Sequence, residues 1–460
     1  MRERVRLTRQ QLTERIDTGE VDTVVMAFPD HQGRLVGKRA TGHFFLDHVA
    51  DDGTENCDYL IATDLDDTPL PGFRFTSYEQ GYGDMLARAD WTTIRMVPWV
   101  PKTALILCDL FDVASGELIE EAPRTILRRQ VEAAATLGHL PMVGSEIEFH
   151  LYRDTYEHAH AKGYRNLEPH SPWLQDYQVL QTTKDEYLIG QIRRGLEAAG
   201  VPVEFSKGEA GRGQHEINLA FADPMEMADR NAVFKNAAKE IAALNGRSIT
   251  FMAKVSMADT GSSCHIHSSL WDVAGTQSRF ADVADHDPHH MNTVFRQWTA
   301  GLLATARDFT LLWGPTVNSY RRFQPESWAP TGVAWGRDNR TLGLRVVGHG
   351  NGARVESRIP GADANTYVAF AGTIAGGLYG LRHGLELEEP FVGNGYTAVD
   401  VPRVPTTFIE AIEWWERSDI ARECFGDDVH HHIANHARQE WQAFQRTVTD
   451  WEMVRYFERI

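Results

Sequence analysis

Four short stretches of this chain set charged or metal-ligating side chains two residues apart with apolar residues between them. They are Glu146 and Glu148 in SEIEF, Glu216 and Asn218 in QHEIN, His265 and His267 in SCHIHSS, and Arg354, Glu356 and Arg358 in RVESR. In a β-strand, residues i and i+2 share a face and the residue between them points the other way. Ile147 with Phe149, Ile217, Ile266 and Val355 therefore give each strand a dry side. One such strand could simply face solvent. Four of them imply a sheet with one side buried in a core and the other lining a site. A chain of 460 residues can build that core, and roughly 150 residues per domain allows two or three domains.

The side chains on the polar faces suit a particular chemistry. Carboxylates in excess, with one or two imidazoles and no thiolate pair, favour hard divalent cations such as Mg²⁺ or Mn²⁺ over zinc. Arg321, Arg322, Arg337, Arg340, Arg345, Arg354 and Arg358 follow in one region. Guanidinium forks bind phosphate and carboxylate oxygens bidentately, so the combination reads as a phosphoryl-transfer site. No P-loop supplies that chemistry: GRLVGKR (33–39) is one residue short between its glycines and ends in Arg. His430, His431 and His432 are adjacent and cannot share one helical face, so they read as a solvated helix end.

The formal net charge of −18 argues against nucleic acid or an anionic membrane as partner, since both reward a basic face. No apolar run approaches a membrane span. The opening MRERVRLTRQQLTERI is charged, with helical spacing at Val5, Leu7, Leu12 and Ile16, and lacks the apolar core of a signal peptide; a cytoplasmic location is expected. Cys57, Cys108, Cys264 and Cys424 are widely separated and form neither a zinc ribbon nor a disulfide framework. Small molecules remain as partners.

Along the chain, strands are expected at 22–28 and 35–38 around a turn at 30–33, and another at 99–109. Pro123 starts a helix whose apolar face is Ile126, Leu127, Val131 and Ala134. The boundary between two domains, 1–115 and 116–460, falls near residue 115. Beyond it come a strand at 142–152, a polar loop at 153–176, a helix at 185–199 and strands at 201–205 and 215–221. A helix at 225–244, strands near 249–255 and 264–270, a helix at 291–308, a Gly/Arg-rich stretch to 360 and terminal helices complete the chain. The order is mixed, which makes the fold class α+β.

Assembled, these residues resemble the type I glutamine synthetase superfamily over nearly the whole chain, in its γ-glutamylamine synthetase branch. The blocks occur in the family's order: FPDHQGR, SEIEF, KGEAGRGQHEI, FMAK with GSSCHIH, NSYRRF, DNRTLGLR and ARVESRIP. The resemblance implies a β-grasp-like N-terminal domain on a catalytic domain with an antiparallel sheet funnel flanked by helices, in a homo-dodecamer of two stacked hexameric rings. It implies ATP and two or more Mg²⁺ (or Mn²⁺) ions per active site, with glutamate and an amine as the other substrates. One metal site would be Glu148, Glu209 and Glu216, and the other Glu146, His265 and Glu356. Arg322 and Arg358, with Gly261 in the turn beside them, match the glutamate and acyl-phosphate contacts. Phe221, His267, Ser269, Arg340, Arg345 and Arg354 match nucleotide-facing positions. Asp30 matches the acid that a neighbouring subunit lends to the ammonium site, although FPDHQG alone favours a plain turn.

The departures from the family pattern point to the substrate. Ammonia-using members carry a glutamate two residues before the proline of the flap; here QPESWAP puts Trp328 there, with Glu326 two positions early. Thr260 replaces the asparagine before Gly261, and Tyr396 stands near the family's adenylylation tyrosine in different surroundings, so no modification is expected. The expected activity is ATP-dependent ligation of the glutamate γ-carboxylate to an organic amine through γ-glutamyl phosphate. Two rivals are an ammonia-dependent glutamine synthetase and a catalytically weak nitrogen or metabolite sensor.

Overall fold

The computed structural model describes residues 6–281 and 289–460. Val5, expected on the first helical face, lies outside them. Leu12 and Ile16 are buried on the helix Arg9–Asp17, which starts at a capping box formed by Thr8 and Gln11, while Leu7 precedes it.

The first sheet contains β1 (Thr23–Pro29), β2 (Leu35–Thr41), β3 (Thr54–Cys57), β4 (Asp84–Ala89), β5 (Arg95–Met96) and β6 (Thr103–Asp112). Its order is β2-β1-β6-β4-β3, with β5 also on β6; β1 and β6 run parallel and the other pairs antiparallel. Alternation in β1 and β6 gives this sheet two apolar faces. Val24, Met26, Phe28, Ala104, Ile106 and Cys108 pack in a small core with Leu12, Ile16 and Phe45. Ala27, Leu105 and Leu107 point the other way, into the large core of the rest of the chain. A buried ion cluster bolts the two parts together. Arg124, at the start of the helix Pro123–Thr136, donates to Asp109 at 2.8 Å, to Asp90 at 2.6 Å and to Asp229, which also accepts from Tyr367 Oη at 2.6 Å.

The second sheet contains β7 (Leu140–Tyr152), β8 (Val203–Gly208), β9 (Gln214–Leu219), β10 (Ser248–Thr250), β11 (Cys264–Trp271), β12 (Trp335–Arg337), β13 (Leu344–Val347) and β14 (Arg354–Ser357). The order is β12-β13-β14-β11-β7-β9-β8, with β10 on the far end of β7. All pairs are antiparallel except β12 with β13, in keeping with the α+β expectation. Behind the sheet, the helix Thr366–His383 is buried along nearly its whole length. It crosses the helix Thr293–Thr305 at backbone contact: a Cβ at Gly301 would lie 2.2 Å from the Gly376 carbonyl oxygen, and one at Gly380 2.0 Å from that of Gln297. Only glycine permits that approach.

Several expected boundaries move. The helix expected at 185–199 is Val179–Ala198, beginning earlier with the exposed Val179 and Leu180 in its first turn. The polar loop 153–176 contains a helix, Tyr156–Ala161, started by the Thr155 hydroxyl accepting from the His158 amide. The strand expected to 255 stops at Thr250, where pairing with β7 ends.

The histidine run is not a solvated helix end. It lies inside the helix Asp419–Gln445, kinked at Gly426, which packs against the first sheet's loops and the helix Phe408–Arg417. His430 stacks on Trp415, with centroids 5.3 Å apart, and His432 is buried against Phe73 and His31. Only His431 turns outward, to the Gly72 carbonyl. Adjacent helical residues point in different directions, and here two of those directions meet other elements.

Candidate active site

Cross-strand register gathers the polar residues onto one face. Glu146 stands opposite His265 on β11 and Asn218 on β9, and Glu148 stands opposite Glu216. His267 stands opposite Glu356 on β14, which in turn faces Arg345 on β13. The alternate residues Ile147, Ile217, Ile266 and Val355 are fully buried in the core behind the sheet.

Two clusters of potential ligand atoms result. Glu148, Glu209 and Glu216 offer oxygens that all lie within 4.8 Å of one another, and so do ligand atoms of Glu146, His267 and Glu356. The first cluster is the one expected. The second has His267 beside the two carboxylates, where His265 was expected; His265 Nδ1 is nevertheless 3.2 Å from Glu146 and 3.7 Å from Glu356. Glu146 thus meets both imidazoles, since His267 Nε2 lies 3.0 Å from its other oxygen.

Electrostatics support cation binding. Burial and the charge of Glu216 push the Glu148 carboxyl well above the usual range; burial and Glu146 do the same to Glu216. Crowded carboxylates that resist ionising together are relieved by a divalent cation. Glu148 is held in place, accepting from the Ser263 amide at 2.7 Å and the Gln214 side chain at 3.2 Å. Burial opposes ionisation of Glu146 and Glu356 as well. Hydrogen bonds from His265 and His267 outweigh it at Glu146, and the electrostatic influence of His265, His267 and Arg358 holds Glu356 down to about 2. His265 Nε2 is buried without a partner. Oxygen-rich sets with an imidazole and an unsatisfied ring nitrogen fit Mg²⁺ or Mn²⁺.

Arg322 is 1% exposed and donates to the carbonyls of Ile359 at 2.8 Å and Arg358 at 3.1 Å. Gly261 makes room for it: a Cβ there would lie 2.3 Å from Arg322 Cγ. Arg358 pairs with Glu356, and the Nε atoms of both arginines are buried without acceptors. Arg345 bridges Glu356, at 2.7 Å, and Asp338.

Beside the Glu146 cluster a cavity of about 330 Å³ is lined by Phe221, His267, Ser269, Trp271 and Arg354. Phe221 and Trp271 stack there at 6.3 Å, and Arg354 Nε donates to His267 Nδ1 at 3.1 Å. Four of the expected nucleotide residues therefore share one pocket and Arg345 reaches the metal carboxylates, while Arg340 lies outside near Asp338. Asp30 is buried, and its carboxylate accepts from Arg34 Nε at 2.6 Å and from the Arg34 amide at 2.8 Å. Those contacts match the turn reading; within this chain the structure does not bring Asp30 to the clusters.

Trp328 stands 58% exposed on the segment 324–329. Glu326 and Trp328 both have left-handed backbone, with φ of 57° and 60°, a conformation that strains non-glycine residues. Ser327 ties this flap to Arg322, donating to its carbonyl at 3.0 Å.

Sequence reasoning missed Lys207. Its ammonium group pairs with Glu209, lies 3.8 Å from Glu216 and sits 4.8 Å from the centre of the Tyr177 ring. The signal was present, since Lys207 precedes Glu209 by two in the quoted KGEAGRGQHEI block and stands opposite Glu216.

The family profile "Glutamine synthetase, catalytic domain" matches residues 120–456. The chain is 49% identical to the gamma-glutamylethanolamide synthetase of Streptomyces coelicolor over 98% of its own length and 96% of that protein's. It is 35% identical to a glutamate–isopropylamine ligase of a Pseudomonas species, over 97% of both. The ligand-free structure of GmaS has the same fold, with a TM-score of 0.84 at 24% identity, over 97% of this chain and 99% of that one. The chain belongs to the glutamine synthetase family, and its class of enzyme is the ATP-dependent carboxylate–amine ligases.

Proposed function

We propose that the protein joins the γ-carboxylate of glutamate to an organic amine, using ATP to form γ-glutamyl phosphate. Trp328 carries this reading: it occupies the flap where ammonia-using members place a carboxylate. The names of the two similar ligases support it.

An ammonium ion must lose a proton before its nitrogen can attack, and a flap carboxylate can hold the cation and take that proton. An indole can do neither, but it attracts an alkylammonium by roughly 0.5–2 kcal/mol. Each buried CH₂ of the amine adds about 0.8 kcal/mol, which ammonia cannot gain.

Glu148, Glu209 and Glu216 would hold one divalent cation, and Glu146, Glu356 and an imidazole of His265 or His267 the other. When bound, two such ions neutralise charge on the transferring phosphoryl group. Arg322 and Arg358 hold the glutamyl anion, and Phe221, His267, Ser269 and Arg354 the nucleotide. Asp30 acts on a neighbouring subunit's amine in a dodecamer of two stacked rings, in the cytoplasm, with the domain boundary near residue 115. No described helix is long and apolar enough to cross a membrane.

The deciding experiment compares ammonia with ethanolamine, isopropylamine, a polyamine and an aromatic amine at equal concentration, with products identified by mass spectrometry. An organic amine should exceed ammonia in kcat/KM by at least about tenfold, or roughly 1.4 kcal/mol. Ammonia as the best nucleophile would make the protein an ordinary glutamine synthetase. Glutamate-dependent phosphate release that needs no amine, or none at all, would favour the sensor.

A further inference from the structure

The segment 393–404 is fastened along the segment 331–343, which leads from the flap to β13. The Val333 amide donates to the Pro402 carbonyl at 2.7 Å and the Val404 amide to that of Thr331 at 2.9 Å. The Gly395 amide donates to Thr341 Oγ1 at 2.8 Å, and a Cβ at Gly395 would lie 2.4 Å from the Thr341 carbonyl oxygen. Arg403 ties the segment further, donating to the carbonyl of Tyr396 and to Thr331 Oγ1, each at 3.0 Å. Tyr396 is therefore carried on a braced backbone, not on a free surface loop.

Its phenol oxygen is buried and has no hydrogen-bond partner. Burial raises the phenol's pKa, while the charges of Arg358 and Arg322, and after them the backbone of Trp328, pull against that rise. Arg322 Nε and Arg358 Nε are unpartnered in the same region. A buried donor with nothing to donate to is costly, and an anion with several acceptor oxygens bound beside Arg322 and Arg358 would complete these donors. A neutral phenol suits this role because it adds a directed donor without a further positive charge beside two guanidinium groups.

We propose that Tyr396 is a further catalytic residue, whose hydroxyl donates a hydrogen bond to the anionic glutamyl group held by Arg322 and Arg358. This rests on the assignment of those arginines to the glutamyl anion. The hydroxyl keeps its proton throughout and fixes the orientation of the group that the amine attacks. Because Trp328 lies against the same tyrosine, the glutamyl anion and the amine wall of the flap share one support.

Tyr396→Phe keeps the ring and removes only the donor. With ATP, L-glutamate and ethanolamine as substrates, kcat/KM for glutamate should fall by about 10- to 100-fold, the loss typical of a hydrogen bond to a charged group. The KM for ATP and the thermal midpoint should stay unchanged, and calorimetry should show weaker L-glutamate binding to the Mg²⁺-loaded enzyme. Wild-type glutamate kinetics and binding would overturn the proposal, as would a lowered midpoint with ATP and glutamate affected alike, which would mark a packing role. Arg358→Lys separates the two levels. If it is impaired while Tyr396→Phe is not, only the tyrosine proposal fails; if it too behaves as wild type, the arginine assignment fails with it.

Discussion

Acidification should loosen the seam between the first sheet's loops and the helix Asp419–Gln445, through His432 and His436. His432 is 2% exposed and its Nε2 has no partner; His436 Nε2 donates to the Thr63 carbonyl at 2.8 Å. His31 stacks on His436 at 3.8 Å and stands 5.4 Å from His432, so a proton on one ring is felt by the others. Burial, reinforced by His436 and His431, lowers His432 to about 3. Burial lowers His436 to about 4 despite the Thr63 carbonyl and Asp64, with Arg34 adding to the fall. An unfolded histidine titrates near 6.5, so between that pH and the folded values the unfolded chain binds more protons and stability is lost as the pH is lowered. The contribution is complete above pH 6.5. At pH 5 each ring costs about 1.36 kcal/mol per unit over 1.5 units, or about 2 kcal/mol, and the pair about 4 kcal/mol. Thermal unfolding from pH 5 to 8 measures this, compared with the double variant His432→Phe/His436→Gln, whose glutamine can still donate to Thr63. The variant's midpoint should vary much less below pH 6.5. Parallel curves for the two proteins would refute the reasoning.

Three further outcomes are expected. Glu356→Ala should abolish phosphoryl transfer and weaken Mn²⁺ binding in calorimetry, because it strips a carboxylate from one ligand cluster, leaving Arg358 without its carboxylate and Arg345 with Asp338 alone; Glu148→Ala should act likewise on the other cluster. Arg358→Lys should stay folded by circular dichroism yet lose most activity, since a point charge cannot reproduce a fork spanning two oxygens. Arg124→Met should cost about 3–5 kcal/mol, read as a lowered thermal midpoint, because it leaves the buried Asp229 without its cation and strips one from the half-buried Asp90, while Asp109 keeps Arg128.

The sequence was most readable where local periodicity and function coincide. Glu146, Glu148, Glu216, His265 and Glu356 announce their shared face through i, i+2 spacing, because a strand's side-chain period is fixed by its backbone. The helix expected at 225–244 is found as Pro224–Leu244, since Asp223 caps it and Pro224 can occupy its first turn. Legibility ends where a side chain's fate depends on a distant segment. Nothing near His432 tells that Phe73 will cover it, and nothing near Asp30 distinguishes a turn residue from an acid offered to a neighbour. Tyr396 was hidden for the same reason, because it acquires its meaning from residues many positions away, brought close by a braced loop.

The strand β7 supplies Glu146 to one ligand cluster and Glu148 to the other from a single ladder, paired on both sides. A slip of the whole strand by one residue would turn both carboxylates toward the core at once. Natural variation therefore cannot adjust one cation site by sliding this strand without disabling the other. The flap at 324–329 lies outside that ladder and is held by short local bonds, the Ser327 hydroxyl donating to the Arg322 carbonyl and accepting from the Gln324 amide. If the flap sets the amine, as proposed above, a lineage could exchange the amine it accepts by rewriting a handful of loop positions while the ladder carrying the phosphate chemistry stays fixed.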